Sequence, residues 1–126
     1  LGVCLGMQVL FTSGEEFGGI DGLNLVSGRV IKLDARKEGV IVPNIGWKKV
    51  KSNTRSSLDL GKEGYFYHIH SFHAVPTDKN IIKGTIELGK ENITVAIEKD
   101  NIFGVQFHPE KSQDAGLEML HSFLSL

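Results

Sequence analysis

A chain of 126 residues, 40% apolar and 23% charged, has the length and composition of one globular domain built around one core. Its formal net charge of −1 offers no electrostatic footprint for nucleic acid or an anionic membrane, and its single cysteine excludes an intrachain disulfide. With no signal peptide and no apolar run of membrane-spanning length, the expected location is the cytoplasm and the expected state of the thiol is free.

The chain opens on LGVCLGMQVLF, beginning at Leu1 with little room for structure before the cysteine, so a fragment or a processed product is expected. The order is strand end, glycine, any residue, cysteine, any residue, glycine, helix, which is that of a nucleophile elbow. In that device Gly2 and Gly6 remove side chains that would collide, and Cys4 stands above the sheet at a helix start, where free N–H groups favour a thiolate. A small apolar cysteine packed in a glycine-rich turn fits the pentapeptide equally well. The spacing of Met7, Leu10 and Phe11 predicts a helix over residues 5–11, ending near Gly18 and Gly19.

Short β-rich runs bounded by turn residues follow at 28–33, 65–75, 81–88, 92–100 and 102–107. The last of them leads into HPE. If the backbone is extended there, His108 and Glu110 project to the same side, and Pro109 keeps His108 out of helical conformation. A cysteine nucleophile needs a base to take its proton and a third group to fix the base's tautomer, and this pair can fill both roles. The chain closes on QDAGLEMLHSFLSL, where Leu117, Leu120 and Leu124 share one face of an amphipathic helix. Helix and sheet must pack together, so the class is α/β or α+β.

Two further clusters are weighed. His68, His70 and His73 crowd one segment and could seed a zinc site with His108, but no second ligand cluster accompanies them. The pair Gly18-Gly19 and Gly22 is not followed by the lysine-serine pair of a phosphate loop. No metal and no nucleotide or other cofactor is expected.

Taken together, GVCLGMQVLF and GVQFHPEKSQ resemble the class I, triad-type glutamine amidotransferases. GLNLVSGRV, PNIGWKKV, YHIHSFHAV and KSQDAGLEMLHSFL occur in the same order as in the glutaminase subunits of imidazole glycerol phosphate synthases, and the similarity covers essentially the whole chain. The resemblance implies an α/β fold, the C-terminal portion of a flavodoxin-like amidotransferase domain over residues 1–126, with a central mixed sheet and flanking helices. It implies L-glutamine as substrate, a Cys4-His108-Glu110 triad, and ammonia handed to a cyclase-type synthase subunit. It implies an oxyanion donor in the backbone N–H of Leu5 and substrate contacts from Gln8, Glu16 and the segment His70-Ser71-Phe72. Trp47 and Lys111 would face the partner. Departures from the family pattern are Phe72 where tyrosine is usual, Asn44 where histidine follows proline, and Lys48 where asparagine follows tryptophan. These leave open a paralogue serving surface-sugar synthesis. The family's strands before the nucleophile are not in this sequence, so the alternatives include a catalytically incompetent remnant or binding module, and self-association through exposed sheet edges. A cysteine peptidase or related amidase could use the same triad.

Overall fold

The computed structural model describes residues 1–53, 55–62 and 64–126. It begins with a two-residue strand β1 (Gly2–Val3), a one-turn helix α1 (Leu5–Gln8) and β2 (Phe11–Gly14). Then come β3 (Ile20–Asp21), β4 (Val26–Lys32), β5 (Asn44–Lys49), β6 (Lys51–Ser52), β7 (Tyr65–His70) and β8 (Phe72–Pro76). The remaining strands are β9 (Ile82–Leu88), β10 (Glu91–Lys99) and β11 (Ile102–Val105), and the chain ends in α2 (Gln113–Leu124). No helix among the described residues is long and apolar enough to cross a membrane.

Nine strands form one sheet in the order β1-β11-β10-β8-β4-β2-β3, with β9 on β10 and β6 on β9. Pairing is mixed. β1 lies parallel to β11 and β2 parallel to β4, while the other ladders are antiparallel. A separate hairpin of β5 and β7 stands beside this sheet. The class is α/β, as expected, with the flanking helices reduced to α1 and α2 among the described residues.

Two sequence-derived boundaries differ. The helix expected over 5–11 stops after one turn, because Phe11 enters β2 and is buried in a small core with Met7, Val26, Val30, Ala74 and Ile97. Burying a side chain of this size contributes about 1.5–3 kcal/mol, more than the propensity of a short helix can oppose. The run 65–75 is two strands in two sheets, broken at Ser71.

The larger core lies between the hairpin, β9 to β11 and α2, with Phe66 stacked on Phe107 at 4.1 Å between ring centroids. On α2 the apolar stripe facing it is Ala115, Met119, Leu120 and Phe123. Leu117 and Leu124, expected on the packed face, are 63% and 81% exposed. Gly116 is buried where any Cβ would overlap the Pro109 carbonyl, so only glycine lets α2 seat against the turn that carries Glu110.

Candidate active site

β1 and β11 run parallel with Gly2 opposite Gly104 and Val3 opposite Val105, so Cys4 and the segment 106–110 leave the same edge of the sheet. Both paired glycines are required by α1, which packs over them. A Cβ on Gly2 would overlap the Gly6 carbonyl, and one on Gly104 would lie 2.8 Å from Met7 Cγ. Gly6, expected to relieve a collision too, has open space where its Cβ would be.

Cys4 is held at φ 53°, ψ −109°, a conformation costly for any residue with a Cβ. Its N–H donates to Val105 O at 2.8 Å, and its carbonyl accepts from Met7 and Gln8 at 3.1 and 3.2 Å, starting α1. These bonds on both sides fix the strained turn. The sulfur is half-buried. Gln106 Nε2 donates to Sγ at 3.7 Å, and the thiol faces Ile69 O at 4.0 Å; the imidazole of His108 is not among its hydrogen-bond partners. Burial pushes the thiol above its ordinary value and the charge of Glu110 adds to this, while the Leu5 N–H and the Gln106 amide pull the other way without prevailing. The expected lowering is therefore not found. A four-residue helix supplies one N–H to the sulfur, which desolvation outweighs.

His108 leaves β11 in extended conformation, and Pro109 opens a one-turn 3-10 helix over Pro109–Lys111. Glu110 Oε1 accepts from His108 Nδ1 at 2.7 Å. A carboxylate can only accept, so Nδ1 carries the proton and the ring of a neutral His108 keeps Nε2 as its basic nitrogen. The backbone is clamped as well. His108 N–H donates to Tyr67 O at 2.9 Å, and the buried Ser112 hydroxyl donates to His108 O at 2.6 Å while accepting from Tyr67 N–H at 2.9 Å.

Cys4, Leu5, Gln8, Glu16, His70, Ser71 and Phe72, all singled out in the sequence, line one cleft of about 750 Å³. Glu16 stands in a 3-10 turn after β2 rather than on a helix. Ser71 carries the chain from β7 in the hairpin to β8 in the main sheet, and this change of sheet brings residues 70–72 to the cleft. His108 and Glu110 flank the cleft without lining it. Trp47 and Lys111 lie away from it: Trp47 sits on the outer face of β5, edge-on to Tyr67, and Lys111 is exposed in the turn.

Behind the cleft, His70 Nδ1 donates to Phe72 O at 2.9 Å. Its Nε2 must then accept, from Asn44 Nδ2 at 3.0 Å and from His68 Nδ1 at 3.2 Å. Burial lowers both imidazoles, His68 to about 3 and His70 to about 4, with the neighbouring histidines adding smaller repulsions. Both rings are neutral at pH 7. His68 and His70, weighed as zinc ligands in the sequence, are hydrogen-bonded to each other. His68 Nε2 and His73 Nδ1 are buried without a hydrogen-bond partner.

Sequence reasoning missed Gln106, Asn44 and Ser112 as site residues. The extended alternation expected to align His108 with Glu110 is not found, because residues 106–107 bend and Glu110 lies in the Pro109–Lys111 3-10 turn, and it gave no pointer to Gln106. Ser112 acts through a partner distant in sequence and gave no local signal, and Asn44 stood out only as a departure from the family pattern.

A mixed α/β sheet carrying an elbow cysteine beside a histidine-carboxylate pair defines the class. The family model of class I glutamine amidotransferases matches residues 1–125, and the chain belongs to that family. The HisH subunit of imidazole glycerol phosphate synthase from Moorella thermoacetica is 45% identical over 98% of this chain and 58% of its own length. The protein of the same name from Pyrococcus furiosus is 44% identical over 100% of this chain and 64% of its own. The chain thus spans about three fifths of the length of these curated relatives. Among solved structures, a Thermoplasma acidophilum protein assigned to GMP synthase superposes with a TM-score of 0.66 at 18% identity, covering 98% of this chain and 54% of that one. A second glutamine amidotransferase gives 0.59 at 16%, over 98% and 57%. At these identities the two structures speak for the fold.

Proposed function

We propose that this chain carries a glutamine-hydrolysing centre whose ammonia passes to a cyclase-type synthase partner, in the formation of imidazole glycerol phosphate for histidine biosynthesis. The observation that carries the reading is a strained elbow cysteine on a cleft, with the segment that follows the paired strand β11 carrying a histidine hydrogen-bonded to Glu110. Relatives above 40% identity that bear the name of that synthase's HisH subunit support the assignment of the acceptor.

In this mechanism Cys4 Sγ attacks the side-chain amide carbon of L-glutamine. His108 Nε2 takes the thiol proton and returns it to the departing ammonia, while Glu110 holds Nδ1–H and stabilises the imidazolium. Water, deprotonated by the same imidazole, then cleaves the thioester to release glutamate and restore the thiol. The Leu5 N–H, already directed at the sulfur, offers one donor to the tetrahedral oxyanion, a contact whose loss costs about 2.7–4 kcal/mol in comparable enzymes. Glu16 in the cleft suits the substrate ammonium, and Gln8 and the backbone of residues 70–72 bound the same space. Trp47 and Lys111 belong to the surface that meets the synthase.

The test is glutamate release from L-glutamine by the chain alone and with the cyclase, beside Cys4→Ala. Turnover that requires the cyclase and disappears in Cys4→Ala is the expected result. A folded chain inactive in both mixtures leaves the family membership and removes the activity.

A further inference from the structure

The sulfur of Cys4 meets one side-chain donor, and that donor belongs to a residue outside the triad. Gln106 is completely buried just past β11, its backbone N–H donating to Val95 O at 2.8 Å. Its amide is one link of a chain. Gln8 Nε2 donates both to Phe72 O, at 3.4 Å, and to Gln106 Oε1, at 3.1 Å; Gln106 Nε2 then donates to Cys4 Sγ at 3.7 Å.

The direction of that chain is forced by its far end. Phe72 O is a backbone carbonyl and can only accept, so Gln8 must present its NH2 group. Both hydrogens of that group are then used, one on Phe72 O and one on Gln106. The Gln106 atom facing Gln8 must accept, which leaves the Gln106 NH2 group on the side of the sulfur. A flipped Gln106 would set donor against donor at Gln8 and oxygen against sulfur at Cys4. His70 Nδ1 also donates to Phe72 O, anchoring the carbonyl from which the order starts.

We propose that Gln106 is a positioning residue for the nucleophile: its amide, locked in one orientation by Gln8, donates to Cys4 Sγ and holds the thiolate in place. The two contacts of the sulfur divide by protonation state. Ile69 O can accept only from the thiol, whereas the Gln106 donor binds the thiolate more strongly than the thiol, since hydrogen bonds to charged groups are the stronger kind. Loss of the proton therefore releases the sulfur from Ile69 and tightens it on Gln106. The Gln106 amide acts against the burial that raises the thiol. The proposal builds on the glutaminase reading but is tested without it.

Cys4 is the only cysteine, so the rate of iodoacetamide alkylation against pH reports its thiolate directly. Wild type, Gln106→Leu and Gln8→Leu are compared, each checked for fold by circular dichroism. Glu110, whose charge faces the sulfur, and the cleft residues His70 and Glu16 are unchanged in every variant. The expected result is an upward shift of the alkylation profile in Gln106→Leu, with about tenfold slower reaction at pH 7. Gln8→Leu, which leaves the donor but frees its orientation, gives a smaller shift in the same direction. If Gln106→Leu does not fold, the half-exposed Gln8 site decides alone. A profile identical to wild type in the folded variants overturns the proposal. Glutamine and synthase play no part in the readout, so a shift without any glutaminase turnover sinks only the functional reading, and turnover with unshifted profiles sinks only the role of Gln106.

Discussion

His68 sits where a buried polar ring is costly, with one nitrogen satisfied by His70 and the other bare. Its folded pKa of about 3, and that of His70 of about 4, lie below the ordinary 6.5, so the unfolded chain binds protons between pH 6.5 and 4 that the native state refuses. Stability must then fall as pH drops through that window and be fully present above it. His68→Phe keeps an aromatic ring, a somewhat larger one, and removes one of the two proton sites, and His70 Nε2 retains Asn44 as donor. The expected outcome is a stability-versus-pH slope shallower by about 1 kcal/mol per pH unit between pH 6 and 4.5, read from urea midpoints. Equal slopes would mean that His68 is hydrated or charged in the native state. At this scale the family motifs pointed to Cys4, His108 and the 70–72 segment, because each is a short pattern; the structure sets Cys4 and residues 70–72 along one cleft and leaves His108 outside its lining. Gln106, Ser112 and Asn44 owe their roles to partners 102, 45 and 26 residues away, and no window along the chain contains those pairs.

Helix α2 separates what periodicity can and cannot tell. The spacing of Leu117, Leu120 and Leu124 is helical, and the helix is there, but of these only Leu120 meets the core, as the margin of a neighbouring stripe through Ala115, Met119 and Phe123. Two adjacent apolar stripes satisfy the same rule. The choice between them is made by Gly116, which must face the Pro109 carbonyl and so turns Met119 inward. Met119→Ala is expected to cost about 2–5 kcal/mol, while Leu117→Gln changes stability by less than about 0.5 kcal/mol, both measured by urea denaturation. A similar competition ended α1 early and split 65–75, since extended and helical runs are read locally but the sheet to which a strand belongs is chosen by long-range pairing.

For the molecule as a whole, the hairpin of β5 and β7 has two unlike faces. Asn44, Phe66, His68 and His70 point inward, while Ile45, Trp47, Tyr65 and Ile69 are exposed together on the outside. An apolar outer surface centred on a 43%-exposed tryptophan fits a docking face better than a solvated edge. Trp47→Ser is expected to weaken cyclase binding at least tenfold, followed by titration calorimetry, and to leave Cys4 alkylation unchanged. Equal affinities would move the docking surface elsewhere. The order of motifs revealed the α/β class and the family, whereas the division into a main sheet and a side hairpin depended on where Ser71 turns and was not legible.

The parallel pairing of β1 with β11 also fixes an order of events during biogenesis. Gly2 finds Gly104 only after β2 to β10 have all left the ribosome, and closing so long a loop is a slow step. The Val105 carbonyl that fixes the turn of Cys4 and the Gln106 amide that meets its sulfur both come with β11 and the residue after it, so the surroundings of the nucleophile close only once that late strand has paired.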